Sequence, residues 1–134
     1  MAGYSGTPLP KKLGIKEGHR VALVAAPDHL ERLLGDLPAG VELLRTPRAP
    51  FDVVLLFVTE RRVLARRLPE LASKMDRAGG LWACWPKRAS GVATDITEDT
   101  IRDIALPLGL VDNKVCAVDE TWSGLRIVYR LKDR

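Results

Sequence analysis

The sequence predicts an α/β protein, a mainly parallel sheet of about six strands with helices on both faces and an antiparallel hairpin at its carboxyl end. Two observations predict it. Val21-Ala22-Leu23-Val24-Ala25 and Phe51–Val58 (FDVVLLFV, apolar but for Asp52) are short apolar runs rich in β-branched residues. A strand with one wet face alternates, so continuous runs of this length read as strands buried on both faces, the signature of a covered parallel sheet. These runs also alternate with segments of helical spacing until the last two strands, which follow each other across a short connection that only an antiparallel pair can close.

Taken in order, Met1–Ser5 is small and polar, ordered only by docking. Thr7-Pro8 reads as a helix start, Thr as cap and Pro at the first helical position, with a short helix to Leu13 closed by Gly14. After Gly18-His19-Arg20 comes the first strand. Pro27 and Asp28 open a helix over His29–Leu34, stopped by Gly35. A weaker strand at Val41–Leu44 leads into a proline-bearing loop, Thr46–Pro50, and then the strong strand Phe51–Val58. Over Glu60–Asp76, Leu64, Leu68, Leu71 and Met75 share one helical face, with Pro69 expected to kink or split the helix. Gly79-Gly80 ends it, and Leu81–Trp85 is the next strand, Trp82 and Trp85 pointing to opposite faces.

The polar stretch Lys87–Asp95 follows. Thr97 is a helix N-cap, with Glu98 and Asp99 in the first turn and Ile96 and Ile101 in staple positions. That helix fades at Pro107 and Gly109, and strands Lys114–Val118 and Leu125–Leu131 are joined by Asp119–Gly124. The ordering is that of a Rossmann-like three-layer sandwich. The 134 residues suit one domain, with positions 1–19 as an arm and short helix packed on it.

Composition narrows the function. With 46% hydrophobic and 28% charged residues the chain is not a disordered segment. The net charge of +4, from 21 basic and 17 acidic residues well mixed along the chain, mildly favours anionic partners. It falls short of the concentrated basic stripe of a dedicated nucleic-acid binder. Cys84 and Cys116 lie far apart in apolar runs and read as reduced thiols, and with two histidines in no paired spacing no metal site is expected. No apolar stretch reads as a signal peptide or approaches the roughly 20 residues of a membrane span, so a cytoplasmic location and no membrane partner are expected.

Lys16-Glu17-Gly18-His19-Arg20-Val21, leading into the first strand, and Gly79-Gly80-Leu81-Trp82, entering a later central one, resemble the corresponding segments of the class I methyltransferase fold. That family also ends in an antiparallel hairpin. The resemblance implies an S-adenosylmethionine site at a glycine-rich turn after the first strand. Here that turn is Ala25-Ala26-Pro27-Asp28-His29, without glycine, and no acidic residue ends the second strand to hold a ribose. Glycine serves there for close approach and positive φ, which Ala and Pro are not expected to supply. No cofactor is therefore expected. A second resemblance is carried by Tyr4-Ser5-Gly6-Thr7-Pro8-Leu9, by Trp85-Pro86-Lys87-Arg88-Ala89-Ser90-Gly91, and by the stretch from Gly109 through Asp119-Glu120-Thr121-Trp122-Ser123-Gly124-Leu125. These are similar to a small bacterial family known only as a domain of unknown function, which implies no activity.

Ligands of open parallel sheets sit outside the carboxyl ends of the strands. Placed there are Asp28 and His29, Thr59 and Glu60, then Lys87, Arg88, Ser90 and Gly91, and Asp119 to Ser123. The predicted site is the edge where the basic loop meets the hairpin turn. Lys87 and Arg88 attract an anion, and Ser90 and Gly91 offer a hydroxyl and backbone N–H groups. Trp122 forms an apolar wall, and Asp119 and His29 complete the set. The plainer alternative is a solvated loop, with Asp119 and Ser123 bonding their own turn, Trp122 closing the core and His29 structural.

No GxSxG elbow and no GxxxxGK loop is present. The expected function is a noncatalytic module binding a small anionic ligand or a protein partner at this edge. A divergent methyltransferase is the first alternative and weak RNA binding the second. A homodimer through the hairpin edge is compatible with either.

Overall fold

A computed structural model describes residues 6–45 and 50–134. The opening segment Met1–Ser5 and most of the Thr46–Pro50 loop lie outside the described residues. The elements are α1 (Leu9–Lys12), β1 (Arg20–Val24), α2 (Leu30–Leu34), β2 (Glu42–Leu44), β3 (Phe51–Phe57), α3 (Arg61–Ser73), β4 (Met75–Pro86), α4 (Glu98–Ala105), β5 (Leu110–Ala117) and β6 (Trp122–Tyr129). They form one six-stranded sheet in the order β2-β1-β3-β4-β6-β5. The first four strands are mutually parallel, and β6 is antiparallel to both β4 and β5. The α/β Rossmann-like class expected from the sequence is the one observed.

Apart from Ala25 and Asp52, the two runs are buried because the sheet is covered on both sides. Alternate residues feed two cores. On one face Val54, Leu56, Leu81 and Trp85 meet Leu64, Leu68 and Leu71 of α3 and Ile101 of α4. On the other, Val21, Leu23, Leu55 and Trp82 meet Leu13, Ile15 and the α2 residues Leu30 and Leu34. Trp82 donates its indole N–H to the Leu13 carbonyl at 2.9 Å, which anchors the arm to the second face. Both cysteines are free thiols, Cys84 buried and Cys116 partly so, and β6 separates them by placing Gly124 between.

Three element boundaries differ from expectation. Pro8 is the N-cap of α1, so the helix starts two residues after Thr7. Helix α3 runs continuously through Pro69 and ends at Ser73, and Met75, expected on the helix, instead opens β4 opposite Phe51. Met75 is buried in the same core under either arrangement, so its apolar character did not distinguish them. Proline removes one backbone bond from α3, and the buried stripe Leu64, Leu68, Leu71 and Ala72 holds the helix together across that gap. In the hairpin, Trp122, Ser123 and Gly124 are paired strand residues, and the bend is Val118–Thr121. Asp119 tightens it by accepting the N–H groups of Thr121 and Trp122 at 2.8 and 2.7 Å.

Candidate functional site at the carboxyl rim

Because β5 runs parallel to β4, with antiparallel β6 between them, the bend after β5 falls on the same rim as the loop after β4. Pro86 pairs with Trp122, and the Lys87 N–H donates to the Thr121 carbonyl at 2.7 Å. The basic loop and the hairpin bend therefore meet, as the sequence argument required. The seven expected site residues separate into three groups.

His29, Lys87, Asp119 and Trp122 form one cluster. His29 Nε2 lies 2.9 Å from Asp119 Oδ2, with the histidine side chain 44% and the carboxylate 14% exposed. The Lys87 ammonium donates to the Asp119 carbonyl at 2.7 Å. Partial burial pushes the Asp119 carboxyl up, but the bonds from His29 and from the Trp122 and Thr121 N–H groups outweigh it and hold the group below its ordinary value. Trp122 packs edge-on against Phe57, ring centroids 5.1 Å apart. The cluster is a clasp that ties the start of α2 to the hairpin. Asp119 bonds its own turn, as the plainer alternative raised from the sequence had it, while the lysine, expected there to be solvated, is engaged with protein oxygen.

Arg88 and Gly91 form the second group. They line a cleft of about 460 Å³ with Trp85, Pro86, Asp95, Ile96, Thr97 and Glu98. The cleft lies between the short 3-10 turn at 88–90 and the N-terminus of α4. Gly91 ends that turn at φ +79°, the left-handed conformation glycine supplies freely. Thr94 pins the far wall, its hydroxyl donating to the Thr59 carbonyl at 2.6 Å and accepting from the Ile96 N–H at 3.1 Å. Thr97 caps α4 as expected, in a reciprocal box with Thr100. The acids of the cleft are committed, Asp95 to the Arg61 N–H at 2.6 Å and Glu98 to Arg102 at 2.9 Å. Arg88 makes no hydrogen bond or ion pair among the described residues.

Ser90 belongs to neither group. Its hydroxyl donates to the Lys87 carbonyl at 2.6 Å and accepts the Val92 N–H at 3.2 Å, so it is spent on its own turn. Sequence reading placed Trp85 on one face of its strand and did not count it among the site residues. Its position one residue before the strand-ending proline was the available sign that it also borders the rim. Asp95 and Glu98 were read as loop and cap chemistry, with no spacing to mark them as cleft walls.

At the turn after β1, Ala25 takes φ +56°. The expectation that alanine there would not supply positive φ is thus corrected. Ala25 is exposed, so its methyl meets no packing conflict, and the left-handed bend is held by flanking structure at a cost of order 1 kcal/mol. The end of β2 carries Arg45, paired with Glu31 at 3.4 Å, in place of an acid. For an adenosyl ligand the backbone bend fits and the described side chains at the end of β2 do not.

No family model matches the chain, and no curated protein matches it in sequence. Similarity appears among solved structures. A methyltransferase dependent on S-adenosylmethionine from Aquifex aeolicus superposes with a TM-score of 0.62 at 17% identity, covering 87% of this chain and 85% of that one. Magnesium protoporphyrin IX methyltransferase from Synechocystis, with S-adenosylhomocysteine bound, gives 0.58 at 14% identity over 85% and 75%. A methyltransferase described as putative from Thermoplasma acidophilum gives 0.58 at 9% identity over 98% and 77%.

The fold is therefore that of the class I methyltransferases, and at these identities the likeness is one of fold. Of the two resemblances, only this one is supported. The Synechocystis enzyme has also been solved with S-adenosylmethionine, at a TM-score of 0.58. These neighbours overturn the expectation of a chain without a cofactor. No helix among the described residues is long and apolar enough to cross a membrane.

Proposed function

We propose that this chain is a binding module of the methyltransferase fold that takes a small ligand, apolar in body and anionic at one end, in the cleft between the 88–90 turn and α4. One observation carries the reading: Arg88 stands uncommitted beside a floor of Trp85, Pro86 and Ile96, while of the acids nearby Glu98 is paired with Arg102 and Asp95 is turned onto the Arg61 backbone N–H. A guanidinium in this position recognises carboxylate or phosphate by paired N–H donors, and the apolar floor supplies the area. The volume falls in the range of roughly 300–1,000 Å³ usual for small-molecule sites. Calorimetry with aromatic carboxylates and mononucleotides tests it. Arg88→Ala is expected to weaken binding about ten-fold, the worth of one charge-assisted contact. Failure of every such probe to bind, or equal binding by the variant, removes the reading.

A second reading, a divergent methyltransferase, is favoured by the left-handed Ala25 bend and by neighbours solved with adenosyl ligands. In it the backbone of Ala25–Pro27 supports an adenosyl ligand, which supplies the methyl group when bound, and the Arg88 cleft orients the acceptor. Titration with S-adenosylmethionine and S-adenosylhomocysteine tests this separately. Micromolar binding lost in Ala25→Val and kept in Ala25→Gly supports it, and absence of binding to both compounds overturns it.

A further inference from the structure

At the opposite end of the sheet, near the amino-terminal ends of its parallel strands, lies a second cavity of about 370 Å³, whose wall includes Lys16, His19, Asp52, Gly79 and Arg126. We infer that this cavity is an oxyanion site, built around the half-buried Arg126 guanidinium, for a small phosphorylated or carboxylated molecule. It is independent of the Arg88 cleft and of any adenosyl ligand.

Arg126 projects from β6 on the face that carries its cross-strand partner Trp82. Its one hydrogen bond among the described residues is to Asn113 Oδ1 at 3.4 Å, at the weak limit of such contacts. No carboxylate among the described residues lies within ion-pair distance of it. Burial pulls the guanidinium below its ordinary value, and the nearby positive charge of Arg134 adds to this. Partly buried charges in proteins are normally paired, and the half-buried guanidinium has no ion-pair partner among the described residues, the cavity's one carboxylate, Asp52, being turned onto the Arg20 N–H instead, so Arg126 is a cation able to take a counter-charge.

The backbone makes room for it. A methyl group on Gly80 would lie 2.5 Å from Arg126 Nε and 2.8 Å from Cζ. The guanidinium thus lies against bare backbone, a position any larger residue at 80 would deny it. A methyl on Gly79 would approach the Asp52 carbonyl to 2.6 Å, so the cavity floor is also set by close strand approach.

The remaining wall complements an anion with hydroxyl groups. The Lys16 ammonium forms no ion pair among the described residues. His19 Nδ1 accepts the Lys16 N–H at 3.1 Å, which places the neutral ring's proton on Nε2 and leaves it free to donate. The cavity's acid is Asp52, whose Oδ2 accepts the Arg20 N–H at 2.8 Å. It disfavours bare anions modestly and is suited to accept from a hydroxyl on the same ligand.

The test follows the Arg126 side-chain Nε–Hε signal by nuclear magnetic resonance in the full chain. Inorganic phosphate is titrated against chloride at constant ionic strength, with acetate in a second arm. A saturable shift is expected, stronger with phosphate if the ligand is phosphorylated and with acetate if it is a carboxylate. Lys16→Gln is expected to weaken it about ten-fold. Gly80→Ala is expected to fold normally, since only a flexible side chain stands in its way, and to abolish the response by displacing the guanidinium. Arg88→Ala should leave the response unchanged. A shift that fails to saturate with either anion, or one equal in Gly80→Ala, overturns the site.

Discussion

Asp119 illustrates how one side chain organises the rim. Its two oxygens accept from His29, Thr121 and Trp122, and its own carbonyl accepts from Lys87. Asp119→Ala strands two N–H groups and releases the histidine, and is expected to cost about 1–3 kcal/mol in chemical denaturation. Because the folded carboxyl is held below its ordinary value, its contribution is present above the unfolded pKa of about 3.9 and lost as pH falls through the folded value. The stability gap between wild type and variant should therefore narrow as pH falls below about 4, and a gap that does not narrow there would contradict the assignment. At this scale the sequence was partly legible. It placed Lys87, Asp119 and Trp122 on one rim, because topology follows from element order. It did not disclose that Lys87 and Ser90 turn their polar atoms onto the protein while Arg88 does not, because neighbouring loop residues differ only in local dihedrals.

Helix α3 and strand β4 show where element-level reading succeeds and where it stops. The stripe Leu64, Leu68 and Leu71 gave the helix and its buried face correctly. Its end was misplaced because Met75 satisfies both a helical period and a strand that enters the same core. Strand β4 extends back through Asp76, Arg77 and Ala78, exposed residues with no apolar alternation to announce them. Pro69 is the local conflict in α3, tolerated because packing outweighs one missing backbone bond. Pro69→Ala restores the N–H and is expected to raise stability by roughly 1–3 kcal/mol, read as a higher denaturation midpoint. No gain would mean that the surrounding helix is already distorted to accommodate the ring. The hairpin was misplaced in the same way, since Trp122 and Ser123 look like turn residues until pairing with β4 and β5 claims them.

Across the whole molecule the sheet is shared by both cores, so loss of packing on either face destabilises the strands on which the other core is built. We expect one cooperative unit. Trp82 reports on the α1/α2 face and Trp85 on the α3/α4 face. Fluorescence of the single-tryptophan variants, Trp122 and the other core tryptophan each replaced by Phe, should give unfolding midpoints coincident with far-ultraviolet circular dichroism of the same protein. Separate transitions for the two faces would show two independent units. The two cavities at opposite ends of the sheet are then fixed relative to each other by six strands in register.

What the sequence determined by itself was the alternation of buried strands and amphipathic helices, and with it the sheet, its closing hairpin and the rim on which loops converge. These depend on hydrophobic period and connection length, which are properties of short stretches of chain. Only the tertiary structure decided which polar side chains are already satisfied, that Ala25 bends left-handed without glycine, and that Gly80 makes room for Arg126. Those outcomes depend on contacts between residues dozens of positions apart, which no local pattern encodes.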